Sequence, residues 1–247
     1  MHETTEPQLW ITKLFNEYLA GVANSVLDMV HLQHDPRAPW ANFVCMELVV
    51  ALIIIVLFAM LRPRLSADNP GKLQHTFEMV YQFLHGESEE QVGHSGPHYI
   101  AFFGTLFIFI LFMNLIGVVP GFESPTMSPA VPLGCAAATF LYYNIMGMRA
   151  NGVGKYMAHF AGPMPILAPL MVPIELISHM ARPLSLTIRL YANMYAGEQV
   201  TMVFLSLTYF LVPAVFMGLH VFVSLLQAYI FMLLTMMYVA GAVAHEH

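Results

Sequence analysis

Charged side chains are scarce in this chain of 247 residues: they make up 10% of it, whereas hydrophobic residues make up 58%. Soluble domains carry about 25% charged residues. The apolar residues here also come in blocks long enough to cross a bilayer. This composition excludes an ordinary soluble protein. The length accommodates about five membrane crossings with short connections, and leaves no room for a soluble catalytic domain.

Cysteine is also scarce, and Cys45 and Cys135 stand in separate apolar segments. They have neither disulfide nor metal spacing, so we interpret them as ordinary membrane-helix residues. The net charge of −6 is mild, and acids cluster at the N-terminus and in the run GESEE (86–90). This pattern excludes a nucleic-acid-binding surface. The terminal His-Glu-His is interpreted as a polar tail, and we expect no catalytic, cofactor or metal site.

The chain start lacks the charged region, apolar run and small-residue cleavage site of a signal peptide, so the first span is expected to belong to the mature protein. We predict an all-α polytopic membrane protein with about five membrane-crossing helices plus an in-plane amphipathic helix. The predicted segments are an N-terminal extramembrane or interfacial segment (1–42, with an amphipathic helix in 8–32), a first span (43–61), an in-plane or peripheral helix (70–92), a second span (99–119), a third span (131–149), and two long helices (163–212 and 214–245).

The proline spacing and the length of the last two segments predict that they are not ordinary straight membrane helices. Pro163, Pro165, Pro169 and Pro173 predict that the first of them does not begin as a plain helix. The final apolar run would be about 45 Å long, whereas the hydrocarbon layer is about 30 Å thick. We therefore predict a steeply tilted helical hairpin, joined near Pro213.

Basic residues orient the spans. Arg62, Arg64 and Lys72 follow the first span, and Arg149 and Lys155 follow the third. Because cytoplasmic loops are enriched in Lys and Arg, both loops are predicted to face the cytoplasm. The N-terminus is then outside and the C-terminus is cytoplasmic.

Arg189 lies in the middle of a long apolar stretch, in the run IRLYANMYAGEQ. Its guanidinium stays protonated at any accessible pH. Such a cation costs about 2.5–3.5 kcal/mol at the centre of a membrane helix, so we interpret it as a candidate functional residue. The alternative is an arginine whose side chain extends to the membrane interface.

Helical geometry sorts the other polar residues of this segment. Glu175, Arg182 and Arg189 are seven residues apart and share one face, and Asn193 stays near that face. Glu198 is nine residues past Arg189 and therefore points to the opposite side. One face thus presents a fixed cation and the other a titratable acid.

In the last helix, His220 and Gln227 are also seven residues apart, with Ser224 beside them. An acid and an imidazole such as Glu198 and His220 can pass protons, although His220 alone could equally hydrogen-bond a neighbour. Asn114, in the second span, could add polar lining to the same ion path.

The residues themselves resemble a known family. The stretches PIELISHMARPLSLTIRLYANMYAGEQV (173–200) and LHVFVSLLQAYIFMLLTMMYVAGAVAHEH (219–247) resemble subunit a of the F-type ATP synthase membrane sector. The resemblance extends weakly to FMNLIGVVP (112–120), and the predicted order of spans fits throughout. The outer end of the second span, NLIGVVPGF, departs from the family because it lacks acids that some members carry there.

The resemblance implies a role for each matching residue. Arg189 matches the essential arginine, and Asn193 the asparagine one turn later. Glu198 and His220 match the acid–histidine pair of the outer half-channel, and Gln227 the glutamine that faces the arginine. The positions tied to the cytoplasmic path are Glu175, Ser178 and His179, and Asn114 is the candidate for the outer vestibule.

By the same resemblance, the chain is expected to be a stator subunit in a bacterial inner membrane, with no enzymatic activity alone. Its expected partners are the c-subunit ring, the b-subunit peripheral stalk, the F1 sector indirectly, and membrane lipid. Proton flow through two offset half-channels would drive the ring and ATP synthesis. The coupling ion, H⁺ or Na⁺, is set mainly by the ring, and H⁺ is the default.

Two other classes of function stay open at this point. A self-contained secondary transporter would use Arg189 as a substrate anchor, and predicts an inverted repeat with broken helices in both halves. A structural scaffold would pair Arg189 with a partner's acid, and predicts that Arg189→Lys keeps function.

Overall fold

The computed structural model describes residues 8–29, 35–36, 38–66, 71–119, 121–159, 168–207 and 211–243. The described residues form α-helices and short 3-10 turns without any strand, which confirms the predicted fold class. The helices are α1 (Trp10–Tyr18), α2 (Ala20–Met29), α3 (Asn42–Leu61), α4 (Lys72–Val92), α5 (Ile100–Ile116), α6 (Ala130–Asn151), α7 (Val153–His159), α8 (Ala168–Leu207) and α9 (Leu211–Val243). Three 3-10 turns lie at Arg62–Arg64, Gly93–Tyr99 and Pro125–Met127.

Among the described residues, four helical segments are long and apolar enough to cross a membrane, as expected of a multi-pass membrane protein. They are Asn42–Leu61, Ser95–Ile116, Ala130–Asn151 and Ala214–Val243. Helix α8 is not among them, because charged and polar residues are spread along it. At 40 residues it is about 60 Å long and exceeds the hydrocarbon thickness. It must therefore tilt or extend beyond the hydrocarbon layer if it crosses.

Helix α9 lies at the centre of the fold and packs against α4, α5, α6 and α8. Large side chains fill these contacts, among them Ile110 of α5, Tyr143 of α6, Met194 of α8, and Phe231 of α9, all of which are almost fully buried. Because lipid is as apolar as these side chains, close van der Waals packing is what holds membrane helices together. Helix α9 thus connects the four helices α4, α5, α6 and α8.

The N-terminal segment differs from the prediction of one amphipathic helix over 8–32. It forms two helices, α1 and α2, which break at Leu19. The indole nitrogen of Trp40 donates to the Leu19 carbonyl oxygen at 3.0 Å, and the Trp40 backbone amide donates to Asn16 Oδ1 at 2.9 Å. The break follows from these contacts, because they draw the chain at Leu19 toward the segment before α3.

The predicted irregular entry to the long fourth segment is wrong from residue 168 onward. Helix α8 begins at Ala168 and runs through Pro173 and Pro183. Pro169 lies in the first turn, where no amide partner is needed. The carbonyl of Pro183 accepts a hydrogen bond from the Thr187 hydroxyl at 2.8 Å, and such side-chain bonds help membrane helices tolerate proline. Pro163 and Pro165 lie outside the described residues.

Helix α9 begins at Leu211, two residues before Pro213, near which the hairpin junction is predicted. Pro213 therefore stands in the first turn of α9, where its missing amide costs nothing. The residues at 208–210, at the tip of the hairpin, and the final His-Glu-His lie outside the described residues.

Gly147 marks the closest approach of α6 to its neighbours. A Cβ added there would lie 2.6 Å from Cε2 of Tyr156 and 3.0 Å from the Ala242 carbonyl oxygen. We therefore expect Gly147→Ala to force α6 away from α7 and α9 and to destabilise the fold by about 1–3 kcal/mol. The thermal midpoint of the purified assembly measures this effect. Gly134→Ala is the control, because nothing lies within 4 Å of its added Cβ, and an equal loss in both variants would contradict the packing argument.

Candidate functional site

Arg189 is half-buried in the middle of α8. No acid of the described residues forms an ion pair with its guanidinium, and no described side chain hydrogen-bonds to it. Ser185, Ala192, Asn193 and Ala196 are exposed around it, so small side chains leave its surroundings open. A cation placed this way is available to an anionic group from outside the chain.

One turn beyond Arg189, a hydrogen bond joins α8 to α9. The Asn193 amide nitrogen donates to Gln227 Oε1 at 2.7 Å. The Gln227 side chain is 2% exposed, and its own amide nitrogen has no hydrogen-bond partner among the described residues. Next to this pair, Met194 and Ser224 are fully buried between the two helices. The structure therefore brings Asn193 and Gln227 together beside the arginine.

His220 packs against the α8 backbone next to Glu198. A Cβ added at Gly197, the residue before Glu198, would lie 2.9 Å from His220 Nδ1. His220 is buried, and its Nε2 has no hydrogen-bond partner among the described residues. Glu198 itself is half-buried. An imidazole with an unused nitrogen thus lies against the helix turn that carries Glu198, and an imidazole and a carboxyl group are groups that can exchange protons.

Asn114 belongs to a polar cluster with the loop between α5 and α6. Its Oδ1 accepts from the Thr126 hydroxyl at 2.8 Å. Thr126 is joined to Ser124 by a 2.7 Å hydroxyl–hydroxyl bond, and Ser124 donates to the Met113 carbonyl oxygen at 2.9 Å. The Asn114 amide nitrogen is buried and has no hydrogen-bond partner among the described residues. These buried polar groups have hydrogen-bonding capacity left over.

Two further acids, Glu123 and Glu47, were not among the predicted site residues. Glu123 follows Phe122 in the same loop, and it lies close enough to Glu198 to interact with it electrostatically. Its Oε2 also accepts from the Asn42 amide nitrogen at 3.5 Å. Glu47 of α3 interacts electrostatically with Cys135 of α6. Glu123 directly follows NLIGVVPGF, so counting one residue past that stretch finds an acid.

The other end of α8 carries a second group of polar residues. Glu175 and Arg182, predicted to share one face, form an ion pair at 3.9 Å. Arg182 also lies over the ring of Tyr238, 5.4 Å from its centroid. Arg182 therefore has interaction partners within its own chain, as expected of a structural cation. Arg189 has no such partner among the described residues.

His179 is buried in a cluster built from three helices. Its Nε2 lies 3.0 Å from Asn144 Oδ1, which also accepts from the Tyr156 hydroxyl at 2.7 Å. The Tyr143 hydroxyl lies 3.4 Å from the ring nitrogens. Ser178 is exposed and makes no hydrogen bond within the described part of the chain. The structure thus brings His179 to α6 and α7 but leaves Ser178 outside the cluster.

Comparisons with known proteins decide the family. The family model described as "ATP synthase A chain" matches residues 44–240. The protein "ATP synthase subunit a" of Solibacter usitatus (strain Ellin6076) is 75% identical over 234 residues, which cover 95% of this chain and 100% of that protein. The chain belongs to the ATP synthase A chain family. "ATP synthase subunit a" of Koribacter versatilis (strain Ellin345) is 49% identical over 241 residues, 97% of this chain and 98% of that protein.

Members of this family are the membrane-sector subunit of the ATP synthase that takes part in proton translocation. The chain is accordingly a component of a complex with other subunits. Along α8, Glu175 and Glu198 are 23 residues apart, and thus about 35 Å apart, with Arg189 between them.

Proposed function

We propose that this chain is the stator subunit that guides protons to and from a rotating c-subunit ring. Two offset half-channels would reach the ring from opposite sides of the membrane, and Arg189 would face the ring carboxylates between them. The single observation that carries the proposal is the half-buried Arg189, which has no anionic partner in the described part of its own chain. An unneutralised cation at membrane depth requires an acid from elsewhere or a functional reason.

The outer half-channel would use the polar groups that meet near the loop between α5 and α6. Protons would pass Asn114 and Glu123 and reach Glu198 and His220. The unused hydrogen-bonding capacity of Asn114 and His220 supports water in this region, because buried waters bridge polar groups that lack partners. Glu198 would then transfer the proton to a ring carboxylate.

The cytoplasmic half-channel would use the other end of α8. Glu175 and Ser178 are partly or fully exposed there, and His179 lies beside them in its buried cluster. A proton released from the ring would leave along this side. The ion pair between Arg182 and Glu175 would hold the helix end in place while it does so.

Arg189 would keep the two paths apart by electrostatics. The cation favours the ionised form of the nearest ring carboxyl, so a carboxyl approaching from the cytoplasmic side releases its proton there. Once reprotonated from the outer side, the neutral carboxyl can face lipid without the cost of a buried charge. Each proton that crosses 100 mV makes about 2.3 kcal/mol available for rotation and ATP synthesis. The bond from Asn193 to Gln227 would fix the helix next to the arginine.

We further propose that α8 is the fifth crossing and forms the tilted hairpin with α9, in the segments predicted at 163–212 and 214–245. The N-terminus would lie outside and the C-terminus in the cytoplasm of a bacterial cell, across its inner membrane. The b-subunit peripheral stalk would anchor this chain, and F1 would be reached indirectly. Arg149, in the last turn of α6, and Lys155, in α7, support this orientation.

A cysteine cross-link tests the proposed ring-facing surface. Asn193→Cys should form a disulfide with a cysteine placed beside the ring carboxyl, since disulfides require Cα atoms within about 7 Å. Tyr195→Cys is the control, because residue 195 is also exposed but lies about 200° around the helix from 193. Cross-linking from residue 195 and none from 193 would reject the proposed face.

A further inference from the structure

A groove remote from Arg189 opens between α3, α4 and α5. Its cavity has a volume of about 670 Å³, within the range of small-molecule pockets. Its walls are mostly apolar side chains, with Ile55 and Phe58 from α3, Phe77 from α4 and Ile108 from α5 among them. Helix α4 packs against α5 and α9, whereas little of it touches α3. The groove is the gap that remains between α3 and α4.

A second cavity of about 280 Å³ adjoins the first. Leu61, Gln74 and Phe77 line both cavities, so these side chains form the partition between them. The Phe77 ring is held by Phe58, with ring centroids 5.2 Å apart. Two apolar compartments with one shared wall suit a ligand that has two hydrocarbon chains.

The side chains of Gln74 and Thr105, which line the groove, are already hydrogen-bonded within the chain. Gln74 donates to the Ser66 carbonyl oxygen at 2.9 Å and to Glu78 at 2.7 Å, and its oxygen accepts from the Ser66 amide at 3.0 Å. The Thr105 hydroxyl donates to the Ala101 carbonyl oxygen at 2.7 Å. The walls therefore favour an apolar occupant over a polar solute.

Positive charge lies beside the smaller cavity. Lys72 lines the smaller cavity and is exposed, and Arg62 is exposed at the end of α3. The segment from residue 62 to 72 carries three cations, Arg64 included, and one acid, Asp68, which lies outside the described residues. Basic residues at the membrane boundary attract anionic lipid headgroups.

We propose that this groove binds one anionic diacyl phospholipid from the leaflet on the α4 side. Its acyl chains occupy the two cavities on either side of Phe77, and its headgroup contacts Lys72 and Arg62. The lipid fills the gap between α3 and α4 and thereby holds α4 at the membrane surface.

Photo-cross-linking in the assembled membrane sector tests the site. The probe is phosphatidylglycerol with a diazirine halfway along one acyl chain, reconstituted in vesicles of phosphatidylcholine. We expect peptide mapping to locate the label on the walls of the groove in α3, α4 and α5. An excess of unlabelled phosphatidylglycerol should compete the label away, and an equal excess of phosphatidylcholine should not.

Two sets of variants separate the acyl chains from the headgroup. Ala101→Phe adds a ring to the groove wall and should reduce labelling about tenfold, the loss for two displaced methylene groups. Lys72→Gln and Arg62→Gln should each reduce labelling about fivefold. The controls are Ala137→Phe, at an exposed position of α6, and Lys155→Gln, an exposed cation outside the groove. Both controls should label as the unaltered chain does.

The proposal is overturned by equal competition from both lipids, by labelling that none of the variants changes, or by a partner subunit's helix cross-linking in the groove in place of lipid. Arg189→Ala complexes should take up the label normally, because the groove lies away from that residue. Loss of the lipid site and loss of proton translocation can therefore be told apart. The amount of chain recovered in each assembly serves as the folding control.

Discussion

Replacing Arg189 by alanine is expected to lower proton-driven ATP synthesis by a factor of about 10² or more, as when a preorganised electrostatic group is removed from a reaction site. The chain should still assemble, because no described residue depends on Arg189 for a hydrogen bond or an ion pair. The measurement is ATP synthesis by inverted membrane vesicles under an imposed proton gradient, normalised to the amount of assembled complex. Protons should then leak through the altered sector without driving synthesis.

Arg189→Lys distinguishes the proposed role from a structural one. Lysine keeps the charge but loses the planar guanidinium and its five donors, and its ammonium can be deprotonated when buried. We expect it to restore assembly-normalised synthesis poorly. A scaffold that needs only a cation would work nearly as well with lysine, so near-normal synthesis in this variant would favour the scaffold. Arg182→Ala is a useful comparison, because Arg182 is paired with Glu175 and its loss should act through stability.

The contact of His220 with the backbone at Gly197 gives the second large effect. His220→Ala is expected to reduce proton-driven synthesis by about 10²-fold, the lower range for loss of a proton-transferring side chain. Gly197→Val should also impair synthesis, because even a single Cβ there would lie 2.9 Å from the imidazole. Gly218→Val on α9 is the control, because an added Cβ there meets nothing within 4 Å.

The double variant Gly197→Val with His220→Ala separates packing from proton transfer. Removing the imidazole makes room for valine, so the assembly and thermal midpoint should recover relative to Gly197→Val alone. Synthesis should stay low, because the imidazole proposed to exchange protons with Glu198 is absent. If the double variant makes ATP at the normal rate, His220 serves only to pack the two helices.

Helix positions and the lone arginine could be predicted from the sequence because both depend on local information. A charge inside a long apolar run is visible without a fold, and the seven-residue spacing of Glu175 and Arg182 placed them on one face, where the structure forms their ion pair. The roles of Asn193 and Gln227 beside the arginine were predicted only from the resemblance to the family. Their 2.7 Å hydrogen bond needs the helix packing itself.

The rest depended on contacts between distant segments. The position of Glu123 can be read from the sequence, but its proximity to Glu198 depends on how the loop between α5 and α6 folds. The cluster of His179 with Asn144 and Tyr156 joins three helices and has no signal in any one of them. The prediction of an irregular entry to the fourth segment was wrong for a different reason. Proline ends helices in water, whereas a membrane helix can retain prolines when nearby side chains satisfy the freed backbone groups.

The most direct measurement is the position of the Arg189 guanidinium in a structure of the assembled membrane sector. We expect it within about 6 Å of a ring carboxyl, the range in which a cation controls the ionisation of an acid. Polar groups around Glu198 and around Glu175 should open to opposite sides of the membrane. A guanidinium that lies against a lipid headgroup, far from every ring acid, would contradict the proposed mechanism.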